Sequence, residues 1–386
     1  MNIYLDYNGT TPVDPAVRDA MLPFLGDLFG NPSSTHWAGQ AAREAVDKGR
    51  EQLAGLIGAR PEEIVFVSGG SESDNLAIKG TIWSLCRQDP GKAHVITSTV
   101  EHPAVLNCCA FLERMGVEVT YLQVDGQGMI TADQVEAAIN ERTVLISLML
   151  ANNETGVIFP IEEISRVAKK HGIRLHTDAV QAVGKIPVDV GRLGVDLLSL
   201  SAHKFYAPKG VGALWIRPGV ELEPLIHGGG QEGGRRSGTE AVPNLVAMGK
   251  AAELVQNGNL EAEVQRLSAL RDRLEEELAA RLPRIVFHGR QVDRLPNTAN
   301  FSLPGIDGES LKMHLDLRGV AVSTSSACDS GSGKASRVLA AMGIPEAEAK
   351  SSLRVSLGRW STADEVNMFI DILVDVAESL WRISPL

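Results

Sequence analysis

Between Ile64 and His171, short apolar runs and helical stretches follow one another in turn. The pattern predicts strands over 64–67, 94–97, 118–122 and 144–150, and helices over 72–83, 103–115, 131–139 and 161–171. The run over 144–150 is apolar save for Ser147, as a strand covered on both faces must be. Thr131 with Gln134 has the spacing of a capping box, which marks where a helix begins. Strands joined through helices run parallel, so this segment predicts an α/β fold on a mostly parallel sheet.

Upstream, Asp14-Pro15 reads as an N-cap followed by proline at the first helical position, with that helix reaching about Leu25 and a second spanning 39–56. After Val242 the texture changes. Helices are expected over 242–255 and 260–282, then short strands over 286–288, 299–303, 320–323 and 353–356. Thr362 and Glu365 cap a last helix ending near Ser384. The expected division is a large domain over 14–258 and a smaller α+β domain made of 1–13 and 259–386. Glu275, Glu276 and Glu277 read as a solvated face.

The 386 residues suffice for a sizeable core, and the formal net charge of -11 argues against a binder of phosphate backbones, so no direct nucleic-acid partner is expected. No apolar run approaches membrane-spanning length, and Met1 to Asp6 is too polar for a signal peptide. A cytoplasmic protein without membrane contact is expected. Cys86, Cys108, Cys109 and Cys328 lack zinc or redox spacing, so no metal site is expected. In a reducing compartment a lone cysteine can serve as a nucleophile.

In a doubly wound sheet, ligands bind outside the carboxyl ends of the strands. Lys204 closes the run Leu198-Ser199-Leu200-Ser201-Ala202-His203, and a lysine so placed can lose its proton by desolvation and form an imine with an aldehyde. Asp178 closes the preceding apolar run, 173–177. Such an acid and lysine together suit pyridoxal phosphate: the acid pairs with the pyridine nitrogen and the lysine holds the aldehyde. Taken singly, each has a plainer reading as a solvated strand-end lysine or a turn aspartate. Ser68-Gly69-Gly70-Ser71 opens a helix, where backbone amides and the Ser71 hydroxyl suit an anion, though the same string serves an ordinary turn. Glu101-His102 and Asn152-Asn153-Glu154-Thr155-Gly156 also follow strands, and alone each reads as structural. The glycine-rich stretch 228–239, carrying Arg235, Arg236 and Thr239, suits an anion-binding loop. The small-residue stretch 323–333 carries Cys328 at its centre, either as a working thiol on a swinging loop or as a neutral accident beside Asp329.

In this order, the segments resemble the cysteine desulfurases of the NifS/IscS type, within the class V, fold type I pyridoxal-phosphate enzymes. The resemblance runs from Leu5-Asp6-Tyr7-Asn8 through Ser71-Glu72-Ser73-Asp74-Asn75, Glu101-His102, Asp178-Ala179-Val180-Gln181, Ser201-Ala202-His203-Lys204 and Arg236-Ser237-Gly238-Thr239 to Ser326-Ala327-Cys328 and Arg354-Val355-Ser356. It implies a seven-stranded type of sheet in the large domain and a catalytic cysteine on the small one. Lys204 would hold the cofactor aldehyde, Asp178 the ring nitrogen and Gln181 the ring hydroxyl. His102 would stack on the ring and handle the proton of a thiol. Gly70, Ser71, Ser201 and His203 would bind the phosphate. Thr239 would reach the cofactor of a second subunit, which implies a homodimer. Asn153 and Arg354 would hold the carboxylate of L-cysteine, and Cys328 would take its sulfur as a persulfide for an acceptor such as an iron-sulfur scaffold protein. The chain departs from the family at Gly70, where alanine or cysteine is common, at Asn8-Gly9 in place of a frequent Ala-Ala, and around Arg235. The rival readings are a selenocysteine lyase or other β-eliminating relative, an aminotransferase, and a cofactor-bound scaffold without activity.

Overall fold

The computed structural model describes residues 2–87, 89, 91, 93–324 and 335–383. Cys328 lies outside them. Seven strands make the central sheet: β1 (Ile64–Val67), β2 (His94–Ser98), β3 (Glu118–Leu122), β4 (Thr143–Ser147), β5 (Arg174–Asp178), β6 (Leu197–Ser201) and β7 (Gly212–Ile216). Their spatial order is β1-β7-β6-β5-β4-β2-β3. From β3 to β6 every pairing is parallel, and β7 runs against both β6 and β1. The mostly parallel α/β sheet expected from the alternation is therefore present. The reversed strand β7 was not expected. It follows β6 after a connection too short to hold a crossover helix, so it can pair only antiparallel.

The local signals act as the residues dictate. Asp14 Oδ1 accepts from the Ala16 amide at 2.9 Å, and Pro15 opens the helix Pro15–Met21. The helix Ile161–His171 has Glu162 and Glu163 in its first turn, Lys169, Lys170 and His171 in its last, and Gly172 at φ +66 to end it. Helices Trp37–Leu56 and Val242–Asn257 pack so closely that a Cβ on Gly249 would sit 2.4 Å from the Gly49 Cα. That contact returns the chain after Val242 to the core beneath the sheet.

A second sheet is antiparallel and joins Thr298–Ser302 to Val286–Phe287 on one side and Ser352–Ser356 on the other, with Ser323–Thr324 beyond. The single strand expected over 320–323 is two. Val320–Ala321 pairs with Ile3–Tyr4, and Ser323–Thr324 with Leu353 and Arg354. One core contains Val46, Phe66, Leu148, Phe205 and Met248; another contains Ile3, Leu5, Leu274, Phe301 and Phe369. Leu295, Val338 and Leu339 join the first core although they come late in the chain.

One expectation fails in the helix Leu260–Arg281. Glu276 and Glu277 are exposed, but Glu275 is buried and takes two bonds from Arg294, at 2.5 and 2.6 Å, with Arg290 Nε 3.1 Å away. Three successive helical residues sweep about 200° around the axis, so a run of three glutamates on a packed helix turns one of them inward.

Candidate active site

At the carboxyl edge of the central sheet lies a cavity of about 420 Å³. Its walls include Ser71, His102, Asp178, Gln181, Lys204 and Arg354, six groups drawn from both parts of the chain. Gly70, Asn153, Ser201 and His203 also line it. Of the expected site residues, Thr239 is exposed and absent from the lining.

Each side chain is delivered by the end of an element. β1 runs into the turn that starts the helix Gly70–Leu85, so the first amides of that helix and the Ser71 hydroxyl face the cavity. A Cβ on Gly70 would lie 2.9 Å from Val180 Cγ2, so the methyl of Val180 occupies the space that a larger residue would need. Gly70 is thus matched to its neighbour. Ser201 ends β6, and Lys204 follows within one short turn, Ala202–Lys204.

The electrostatics follow from burial. Asp178, the last residue of β5, accepts the Val180 amide at 2.9 Å. Burial pushes its carboxyl up to about 6, against the pull of that amide and of the Lys204 charge. His102 caps the helix Pro103–Glu113 through Nδ1, which accepts from the Ala104 amide at 3.1 Å. Burial first, then the Lys204 and Arg337 charges, push the ring down to about 4. The neutral ring therefore carries its hydrogen on Nε2 and presents a donor. His203 is also pushed down to about 4, mainly by burial, and its Nδ1 lies 3.1 Å from Thr10 Oγ1. Lys204 Nζ donates to the carbonyls of Asn8 at 2.6 Å and Gly9 at 2.8 Å.

Arg354 sits mid-strand in Ser352–Ser356. Its Nη1 donates to the Asn153 carbonyl at 3.0 Å and its Nη2 to Asp6. Its Nε is buried without a hydrogen-bond partner. Asn152 Oδ1 collects the amides of Glu154 and Thr155, and that polar turn sets Asn153 on the cavity wall.

Several lining groups escaped sequence reasoning. Asp6, Asn8 and Asp74 lie in segments singled out by motif, yet none had an assigned role. Asp74 had a usable signal: it is three residues after Ser71 on a helix, hence on the same face. It is buried, and burial first, then the Asp178 charge, raises its pKa well above the usual carboxylate range. Beyond the cavity wall, Glu101 is pushed up to about 8, again by burial. In the stretch 228–239, Arg236 is engaged with Glu72 at 2.8 Å and Glu232 with Arg50 at 2.7 Å. Arg235 is exposed.

A mostly parallel sheet that gathers a lysine, buried acids and a helix start at one edge defines an α/β enzyme working at its strand ends. The sequence profile of the aminotransferase class-V family matches residues 3–369, and the chain belongs to that family. It is 50% identical to the cysteine desulfurase IscS of Dictyoglomus turgidum, over 99% of this chain and 96% of that protein. Among solved structures it is similar to a NifS-like protein, with a TM-score of 0.91 and 37% identity over 98% of this chain and the whole of the other. It is also similar to SspA in complex with cysteine, with a TM-score of 0.82 and 40% identity over 93% of this chain and the whole of the other.

Proposed function

We propose that this enzyme is a pyridoxal-phosphate-dependent cysteine desulfurase that converts L-cysteine to L-alanine and passes the sulfur on as a persulfide of Cys328. The observation that carries the reading is the convergence of Lys204, Asp178 and the Ser71 helix start on one cavity.

The donor set fits the cofactor. A helix start with Gly70, Ser71, Ser201 and His203 suits its phosphate, and Asp178 suits a protonated ring nitrogen. Gln181 suits the ring hydroxyl, and His102 a ring face. Lys204 is the amine for the aldehyde. When bound, the cofactor supplies an electron-accepting ring that labilises bonds at the substrate's α and β carbons.

The chain's own residues do the rest. The Arg354 guanidinium, on the cavity wall, suits the substrate carboxylate, and Asn153 stands beside it. Lys204 takes the α-proton, with its amine already among cavity groups. His102, neutral and with its hydrogen on Nε2, donates toward the substrate thiol. The Cys328 thiolate takes the sulfur: one S–S bond forms, one C–S bond breaks, and the alanine carbon recovers a proton. Thr239, exposed on its loop, suits contact with the cofactor of a second subunit in a homodimer.

The two cores support the division into 14–258 and 1–13 with 259–386, Leu295 and the short helix Arg337–Ala341 packing back on the larger part. No helix among the described residues is long and apolar enough to cross a membrane. The thiols of Cys86, Cys108 and Cys109 are free, which suits a cytoplasmic setting. The sulfur acceptor fits an iron-sulfur scaffold protein.

The test is stoichiometric. Purified protein with pyridoxal phosphate and substoichiometric L-cysteine is expected to yield one alanine per persulfide on Cys328 with no added thiol. Alanine without a protein persulfide, or neither product, overturns the reading.

A further inference from the structure

Lys185 is buried, and among the described residues no carboxylate lies within hydrogen-bond reach of its amine. Its Nζ donates to Gln181 Oε1 at 2.5 Å and to Asn8 Oδ1 at 2.9 Å. Burial first, then the charges of Lys204 and Arg354, press its pKa well below the usual lysine range. Charged or neutral, the amine keeps enough hydrogens to serve both oxygens. The sense of the Gln181 amide is set on both sides: its oxygen meets Lys185, and its nitrogen meets the Asn8 backbone carbonyl, which can only accept.

That nitrogen donates to the Asn8 carbonyl at 3.0 Å and has a second hydrogen to spare beside the cavity that Gln181 lines. The Asn8 amide is oriented in the same way. Its Nδ2 donates to Thr298 Oγ1 at 2.8 Å, Thr298 donates to Asn297 Oδ1 at 3.1 Å, and Asn297 Nδ2 returns to Asn8 Oδ1 at 3.1 Å. This ring of bonds ties Asn8 to the strand Thr298–Ser302 of the second sheet. Its direction is set by the carbonyls of Asn153 and Leu357, which accept from Asn8 Nδ2 and Asn297 Nδ2, and Lys185 joins it at Asn8 Oδ1.

We infer that Lys185 is a positioning residue that fixes Gln181 as a hydrogen-bond donor to the cofactor's ring oxygen, and that it locks this donor to the second sheet through Asn8. The inference rests on the pyridoxal-phosphate reading of the site. A ring oxygen carrying negative charge is an acceptor, so an amide locked in the opposite sense would repel it. The lysine acts through Gln181, not on the substrate.

The experiment measures how tightly the full chain holds pyridoxal phosphate, by following loss of the visible cofactor band on dilution and its return on titration. Lys185→Met and Gln181→Ala are each expected to weaken the cofactor about tenfold, in line with one hydrogen bond to a charged group. The double variant should be no more than about twofold worse than the weaker single, because both changes remove the same donor. Weakening of about a hundredfold in the double, or none in Lys185→Met, overturns the inference. Gln181→Glu covers the case in which Lys185→Met does not fold. It keeps the contact to Lys185 as an ion pair and turns an acceptor toward the ring oxygen. It loses the bond to the Asn8 carbonyl, so the cofactor-free chain is expected to be folded by circular dichroism while the cofactor is weakened at least tenfold. Wild-type affinity in Gln181→Glu also overturns the inference. A wild-type chain that holds no cofactor overturns the functional reading itself and this inference with it.

Discussion

Arg354 Nη2 donates to Asp6 Oδ1 at 2.6 Å, a contact between residues 348 positions apart in the chain. With Nη1 bonded to the Asn153 carbonyl, the guanidinium is clamped on two sides at the cavity wall. Arg354→Lys supplies one point charge in place of the fork and cannot serve Asp6, Asn153 and a substrate together. The KM for L-cysteine should rise about tenfold or more, with a smaller fall in kcat. Initial rates across cysteine concentrations check this, and an unchanged KM removes Arg354 from the carboxylate site.

Lys204→Ala should abolish both the visible cofactor band and alanine production. After borohydride treatment of the wild type, peptide mapping should find the pyridoxyl group on Lys204 and on no other lysine. A label on Lys185 instead would reassign the amine.

Cys328→Ala should keep the cofactor band and lose the protein persulfide, measured by thiol-specific labelling after one turnover. Sulfide release from cysteine at the wild-type rate would show that another group takes the sulfur.

Glu101 predicts a pH dependence. Burial pushes its carboxyl up to about 8, so the folded chain binds that proton more tightly than the unfolded chain, whose glutamates titrate near 4.3. This contribution to stability is complete below about pH 4 and is lost as pH rises through about 8. Glu101→Gln removes the titration and keeps the Oε1 acceptor used by Ser98 and the Met149 amide. Between about pH 6 and 9 the melting temperature of the cofactor-free wild type should therefore fall more steeply than that of the variant, by roughly 2 °C or more. Parallel curves would mean that Glu101 does not titrate in this range.

Glu275 and its neighbours give a stability contrast. Glu275→Ala strands the buried Arg294 and should cost about 3–5 kcal/mol. Glu276→Ala and Glu277→Ala, both exposed, should stay within about 0.5 kcal/mol. Urea unfolding of the three variants separates them, and equal effects would contradict the buried pair.

Much of the site was legible because strand ends leave local marks. Lys204, Asp178 and the Gly70-Ser71 turn each close or follow an apolar run, and a parallel sheet puts such positions along one edge. Arg354 had no comparable local mark and came from resemblance, while Asn153 after a strand and Thr239 on a glycine-rich loop were marked locally but owed their roles to the resemblance. The structure puts the first two on the cavity wall and leaves Thr239 on an exposed loop. Strand β7 was missed because its pairing depends on a short return connection rather than on composition. Lys185 was missed because nothing in Gln181-Ala182-Val183-Gly184-Lys185 tells a buried lysine from a solvated one.

The amino-acid order determined the alternation of strand and helix, hence the parallel sheet, and the identity of the groups at its carboxyl edge. Periodicity and capping act over a few residues, and those terms are written locally. Tertiary packing alone decided that Glu275 faces inward, that Asp6 braces Arg354, and that Lys185 is buried against two amide oxygens. Each of these depends on which distant surface covers the residue, because desolvation and hydrogen-bond partners are properties of the packed neighbourhood and not of the neighbouring letters.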